Sequence, residues 1–336
     1  MSGWELDDDT RDEILRRGIL PLYFPDGAST SDEPTLVLLG GQPGAGRSRV
    51  SSVLLAERGP DLTIVNGDDL RAFHPRFAEI VAATTPEARE GLARATAGWV
   101  RDCIRYSREN RRSLVLEGTF QDPSVAAGTA DRFAAAGFRT RVVVVASRRA
   151  ESLLSVTSLY LRNVQAGGPA RFMSREAHDR GFDATRTLVA ALEDAASVDR
   201  LTVLSRDGRT VFDAHRDDGG FDGASAALAD AQSARMGRFD ATQWLSELHH
   251  VTEFAASRRD LPRGVTESLV DLHETALREV IPELHAPADG KFATAIEQKT
   301  VARLVALRRS LPREQLVDAA APVVAPVGPE RGGISR

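Results

Sequence analysis

The sequence predicts an α/β protein: a mainly parallel sheet flanked by helices, followed by a helical C-terminal region. Three observations carry this. Apolar strand-like runs alternate with helical patterns from Thr35 to about residue 215. The run RVVVVA at 141–146 is apolar at nearly every place, as a strand covered on both faces must be. From about residue 225 helical periodicity continues without a convincing strand.

Taken in order, residues 1–33 read as a short helix and a polar linker, PDGASTSDEP. The strand candidates are Thr35–Leu39, Leu62–Asn66, Ser113–Leu116 and Arg141–Ala146, with helical patterns at 47–57, 86–109 and 123–136. Helices follow at 149–165 and 174–197. LTVLSRDGRTVFDA, 201–214, is a hairpin around Asp207-Gly208, and 217–225 is a loop. The segments 225–236, 241–258, 265–284 and 293–310 are helical. Trp244, Leu248, Val251 and Ala255 form one apolar stripe, and Val265, Leu269, Leu272, Ala276 and Val280 another. These are core-facing sides. Residues 316–336, rich in Pro, Gly and Ala, read as a disordered tail. The expected organisation is therefore a linker (1–33), an α/β unit (34–215), a helical region (216–315) and the tail.

Composition narrows the class. The chain has 336 residues, 42% hydrophobic and 27% charged. It contains no apolar run near the roughly 18 residues a spanning helix needs. The acidic start, MSGWELDDDTRDEILRR, has no apolar signal core, so a cytoplasmic location is expected and no membrane partner. A net charge of −5 argues against nucleic acid as a partner. The single cysteine, Cys103, excludes an internal disulfide and reads as a small buried apolar group. There is no H-E-x-x-H. His249-His250 fall on different helix faces, and no G-x-S-x-G is present.

The chemistry begins at Gly41-Gln42-Pro43-Gly44-Ala45-Gly46-Arg47-Ser48. This fits G-x-x-x-x-G-K-[ST] except that Arg47 stands at the lysine. A strand enters and a helix leaves, so a P-loop NTPase-like fold is expected. The glycines let successive N–H groups curl around phosphate, and the helix N-terminus adds its positive dipole end. Ser48 would place its hydroxyl on Mg²⁺. The bland alternative is an ordinary glycine turn. Arginine keeps the charge of lysine but is longer and planar, so binding survives the change more readily than the placing of one ammonium between phosphates. The guanidinium is expected to swing out to the rim of the loop.

Two acidic strand ends follow. Asn66-Gly67-Asp68-Asp69 ends the second strand, and a carboxylate there can accept a proton from an attacking hydroxyl. The alternative is capping of the next helix by Asp68 or Asp69. Glu117 and Thr119 end the third strand and point to the same crevice. Arg148-Arg149 read as a solvated helix start rather than a phosphate contact.

Together these pieces resemble the zeta toxin family, P-loop kinases that phosphorylate UDP-N-acetylglucosamine. The matching marks are GGQPGAGRS, Asp68 followed by Arg71-Ala72-Phe73-His74-Pro75, EGT at 117–119, the apolar strand ending in Ala146, and P-A-R with A-H-D near 169–179. They extend over about residues 34–215. The resemblance implies ATP and Mg²⁺ as cofactors, with transfer of the γ-phosphoryl to the 3′-hydroxyl of the amino sugar. It also places an antitoxin protein among the candidate partners. By position it makes Asp68 the base, Arg171 and Arg162 phosphate contacts, and Arg71, Asp102, Glu117 and Thr119 substrate contacts, with Gly41–Ser48 holding ATP.

Four departures weaken the match. Arg47 replaces the loop lysine. Gln121 and Leu159 stand where the family carries arginine, with Arg162 nearly on the same face as Leu159. A helical glutamate that the family uses on the sugar falls at Arg101, beside Asp102. Phosphoryl transfer depends on positioned positive charge. Three readings follow: a zeta-type kinase, active or slowed; a nucleotide-binding interaction protein whose chemistry has decayed; or a kinase with another acceptor, such as an antibiotic or a nucleoside.

Overall fold

A computed structural model describes residues 4–25, 33–58, 62–83, 85–168, 170–285 and 291–311. Residues 26–32 of the linker PDGASTSDEP and the whole of the tail 316–336 fall outside the described residues. Six strands form one sheet in the order β2-β3-β1-β4-β5-β6. They are β1 (Thr35–Gly40), β2 (Leu62–Asn66), β3 (Ser113–Glu117), β4 (Arg139–Ala146), β5 (Arg200–Ser205) and β6 (Thr210–His215). All neighbouring pairs are parallel except β5 and β6, the expected hairpin, which adds an antiparallel edge.

The helices of the α/β part are α1 (Asp8–Ile14), α2 (Leu20–Tyr23), α3 (Arg47–Arg58), α4 (Gly67–Leu70), α5 (Phe77–Ala83), α6 (Pro86–Glu109), α7 (Pro123–Ala134), α8 (Arg149–Gln165) and α9 (Arg175–Glu193). After β6 come α10 (Ala224–Ser233), α11 (Arg238–Ala256), α12 (Arg263–Thr275) and α13 (Lys291–Ser310). Among the described residues no helix is long and apolar enough to cross a membrane.

The all-apolar strands have the predicted cause. Leu36, Leu38, Val142 and Val144 enter one core with Trp99, Phe133, Leu188 and Leu192 from α6, α7 and α9. The alternate residues Val37, Leu39, Val143 and Val145 enter a second core with Val50 and Leu54 of α3. Side chains alternate across a strand, so two covered faces require apolar residues at every place. Cys103 is fully buried in the first core, and burial pushes its thiol up to about 12.

The C-terminal helices build a third core. The stripes on α11 and on α12 with its continuation Ala276–Val280 are buried as the periodicity requires, and their partners are Leu153, Leu154, Tyr160 and Leu161 of α8. Trp244 also donates its indole N–H to the Ala150 carbonyl at 3.1 Å. Thus α8 is shared between the sheet and the helical region. Helices α4 and α5 were not expected. Both are short, and the Asn66 side chain starts α4 by accepting from the Asp68 N–H at 2.8 Å.

Candidate active site

The register fixes the site. Leu39 of β1 and Asn66 of β2 both pair with Glu117 of β3. The first glycines, the Asp68 turn and the EGT segment therefore emerge side by side at the carboxyl edge. β1 lies third in the sheet, flanked by β3 and β4. Crevices at this edge are where open α/β sheets bind ligands.

The Gly41–Ser48 loop is a cradle whose glycines are required. Gly41, Gly44 and Gly46 have φ of 147°, 78° and 101°. A Cβ on Gly44 would lie 2.3 Å from the Ser152 carbonyl oxygen, so the loop packs hard against α8. Gln42 is fully buried and donates to the Ser147 carbonyl at 2.7 Å. The cradle continues into α3, where Ser48 is exposed and its hydroxyl has no hydrogen-bond partner among the described residues. These features fit a nucleotide phosphate with Mg²⁺ held by Ser48 and phosphate oxygens, since magnesium asks few ligands of the protein. Among the described residues no group of three or more His, Cys, Asp or Glu could hold a metal alone.

Arg47 does not swing to the rim. Its Nε donates to Glu117 Oε1 at 3.1 Å, and its Nη1 donates to the carbonyls of Gly41 at 2.5 Å and Gly118 at 3.1 Å. The side chains of Arg47 and Glu117 are 17% and 7% exposed. The deciding factor is the partially buried Glu117 carboxylate, which offers the guanidinium an ion pair on the inner side of the loop. Ser51 donates to the other Glu117 oxygen at 3.2 Å. Gly118 and Thr119 continue from β3 into an irregular segment. Phe120 follows with φ of 43°, an uncommon conformation for a side-chain-bearing residue, and its ring lies against Gly40 and Gly118.

Asp68 is exposed and pairs with Arg71 at 2.7 Å. Burial and the nearby Arg171 guanidinium lower the Arg71 pKa, while Asp68 opposes them. Arg71 and Arg171 are thus electrostatic neighbours, and Arg171 makes no ion pair among the described residues. Asp69 does not cap the helix. Partial burial, then the charges of Glu117 and Asp68, raise its pKa. The cap is Asn66, so the capping alternative for both aspartates is overturned.

Two expected contacts are engaged elsewhere. Arg162 pairs with Glu247 of α11 at 2.7 Å, and Ser158 donates to the same carboxylate. Asp102 pairs with Arg105 on α6 at 2.6 Å. Leu159, at an arginine position of the family, is 62% exposed.

One group, and the connections of another whose A-H-D was read only as a family mark, escaped the sequence reading. Arg206, at the tip of the β5–β6 hairpin, donates to the Gly44 carbonyl and to Ser155, each at 2.6 Å. It brings a guanidinium onto the outside of the cradle. Its signal was its place just past the carboxyl end of a strand. The second is a buried relay behind the loop. Gln42 is 3.4 Å from Ser152, whose hydroxyl lies 2.9 Å from His178 Nε2. His178 Nδ1 lies 3.0 Å from Asp179. Arg149 grips Asp179 with two 2.8 Å bonds and reaches Asp271 of α12 at 2.8 Å. Arg148 meets Glu283 at 2.7 Å. Arg148-Arg149 is therefore an anchor for the C-terminal helices, not a solvated helix start; each guanidinium is drawn under the following helices by carboxylates there.

Comparison with known proteins agrees with this geometry. The family model for zeta toxin matches residues 25–217. Toxin PezT of Streptococcus pneumoniae serotype 4 (strain ATCC BAA-334 / TIGR4) is 26% identical over 191 residues, 56% of this chain and 74% of that protein. Toxin zeta of Enterococcus hirae is 25% identical over 188 residues, 55% of this chain and 65% of the toxin. A solved chain from the PezAT chromosomal toxin–antitoxin system of Streptococcus pneumoniae superimposes with a TM-score of 0.66 at 20% identity, covering 75% of this chain and 99% of that one. The family match takes in the cradle, both acidic strand ends and the hairpin that carries Arg206, and on that basis this chain belongs to the zeta toxin family.

Proposed function

We propose that this protein is an ATP-dependent phosphotransferase that moves the γ-phosphoryl group to a sugar hydroxyl of UDP-N-acetylglucosamine, at a rate limited by the arrangement of Arg47. The carrying observation is the register that sets the glycine cradle, Glu117 and the Asp68 turn at adjacent strand ends. ATP rests on the backbone N–H groups of Gly41–Ser48, with Mg²⁺ shared between its phosphates and Ser48. Arg71 and Arg171 form a cationic pair suited to the acceptor's diphosphate or the transferred group. Occupation of Arg71 by phosphate frees Asp68 to accept the hydroxyl proton. Thr119 and Glu117 line the acceptor side. Residues 34–215 form the catalytic unit, and residues 216–315 brace α8. An antitoxin that covers the crevice is the partner that family membership suggests, and a cytoplasmic location suits a nucleotide-sugar substrate.

A second reading has its own support. Arg47 is neutralised by Glu117 and Arg162 by Glu247, so two cations assigned to phosphate are already paired. That favours a nucleotide-binding protein without turnover. Measurement of ATP consumption with and without a panel of UDP-sugars, beside ATP affinity, separates the two. Acceptor-dependent ADP release supports the kinase. Tight ATP binding with no acceptor-dependent release supports the binding protein. Turnover with a nucleoside or an antibiotic but no UDP-sugar moves the acceptor.

A further inference from the structure

A cleft of about 540 Å³ opens where α8, α9 and α10 meet the segment 278–283. None of its lining residues belongs to the Gly41–Ser48 loop or to the acidic strand ends. Its walls are rich in arginine, and the charges sort into two kinds. Arg148 is matched by Glu283 and Glu279, Arg149 by Asp179 and Asp271, and Arg278 by Glu279. Arg186 and Arg235 have no carboxylate partner among the described residues. Arg186 is held in place by neutral groups: its Nε donates to Gln232 Oε1 at 2.7 Å, and its guanidinium lies over the Phe182 ring at 4.7 Å.

Gln232 supplies the second, independent observation. Its side chain is 5% exposed, and its Nε2 has no hydrogen-bond partner. The amide cannot be turned over to relieve this, because the NH₂ group would then face the Arg186 donor. A buried donor without an acceptor is costly in a native protein, so rotation of the amide toward an acceptor bound in the cleft is favoured. It lines the same cleft as the two uncompensated guanidiniums.

We propose that this cleft is a binding site for the phosphate group of a small phosphorylated metabolite, separate from the nucleotide loop. Two guanidiniums match a doubly charged anion, and the Gln232 N–H, covered in the unliganded protein, adds a third donor once the amide turns toward the ligand. A carboxylate, with one charge and two oxygens, leaves a donor unmet. The volume lies within the range of about 300–1,000 Å³ usual for small-molecule sites. The Phe182 ring and Pro282 give the rest of such a ligand an apolar wall. Because the walls come from both α9 and the 278–283 segment, the occupant holds the helical region to the sheet. Arg149, in the same wall, is joined through Asp179, His178 and Ser152 to Gln42 behind the nucleotide loop.

The test is calorimetric titration of the full chain with ribose 5-phosphate, inorganic phosphate and acetate. The proteins are wild type, the Arg186→Gln/Arg235→Gln pair and Gln232→Leu. Both arginines are exposed, so the pair folds, and Gln232→Leu removes both the unmet buried donor and the acceptor that orients Arg186, without leaving a hole. The expected result is ribose 5-phosphate binding to wild type, weakened about tenfold or more in the arginine pair and several-fold in Gln232→Leu, with ADP–Mg²⁺ affinity equal in all three. Comparable binding of inorganic phosphate means that the phosphate alone is recognised; weaker binding means that the apolar wall contributes, and either agrees with the proposal. Equal ribose 5-phosphate affinity in wild type and the arginine pair, no binding to wild type at millimolar ligand, or acetate bound as tightly as phosphate overturns it.

Discussion

Arg47 Nε stands 3.1 Å from Glu117 Oε1, so the residue at the lysine place of the loop is engaged by the neighbouring strand. A lysine there would have three rotatable donors and no fork, and could not span Glu117 and two carbonyls at once. Arg47→Lys should therefore leave ATP affinity within a few-fold, because the cradle is mostly backbone, and raise turnover on UDP-N-acetylglucosamine. A charge misplaced by about 1 Å costs roughly 10²-fold, which sets the size of the gain. Paired measurement of kcat and ATP affinity checks this. Wild-type turnover at or above that of the variant would make arginine a competent substitute.

The two aspartates at the end of β2 can be told apart. Asp68 is bound to Arg71, whereas the pKa of Asp69 is raised by partial burial and then by the Glu117 charge. If substrate phosphate takes Arg71, Asp68 is released as the base. Asp68→Asn should then abolish turnover and keep ATP binding, while Asp69→Asn lowers turnover only several-fold. Steady-state kinetics of both variants decide the point, and the reverse order transfers the role to Asp69.

How far the sequence could carry this site depended on the kind of interaction. Backbone features were legible: Leu62–Asn66, Pro86–Glu109 and Arg149–Gln165 begin and end where periodicity and caps place them. The glycine cradle was legible too, because three positive φ values need glycine. Side-chain commitments between distant segments were not. Nothing local tells Arg162 that Glu247, 85 residues on, will face it, or Arg149 that Asp271 will. The short α4 and α5 were missed for a related reason. Two turns or fewer give periodicity too little length, and Asn66 caps where an aspartate was expected. The four site departures are sequence facts, but their meaning depended on which partner each cation found.

Acid should destabilise the fold over a definite window. Burial lowers the pKa values of His74, His178, His249 and His273, and for His249 the value falls to about 4 from 6.5, with Arg303 and Lys299 adding to the effect. The unfolded chain takes up protons below about 6.5 that the native chain refuses until lower pH. Stability therefore falls as pH drops from about 6.5 toward about 4, and is fully present above that range. Urea unfolding at pH steps across the window measures the slope. His249→Gln should remove up to one proton's worth of it; an unchanged slope would mean that His249 is protonated alike in both states.

The last relationship to test joins α8 to the C-terminal helices. Arg148 Nη1 and Glu283 Oε2 are 2.7 Å apart, with side chains only 10% and 9% exposed. The Met236 backbone N–H donates to the same carboxylate oxygen at 3.2 Å, so Glu283 holds two segments together. A buried pair is expensive to desolvate, and its worth relative to an apolar pair is small or negative. Breaking it from one side is a different matter, because the buried Arg148 is then left with only the longer 3.7 Å contact to the half-exposed Glu279. Glu283→Leu should thus cost up to about 3 kcal/mol, since Glu279 still partly compensates Arg148, and Arg148→Met/Glu283→Leu should recover much of that loss. Chemical denaturation of the two variants beside wild type reads the difference directly. Equal losses in the single and the double variant would mean that the Met236 contact and the packing against α11, rather than the charge pair, are what Glu283 provides.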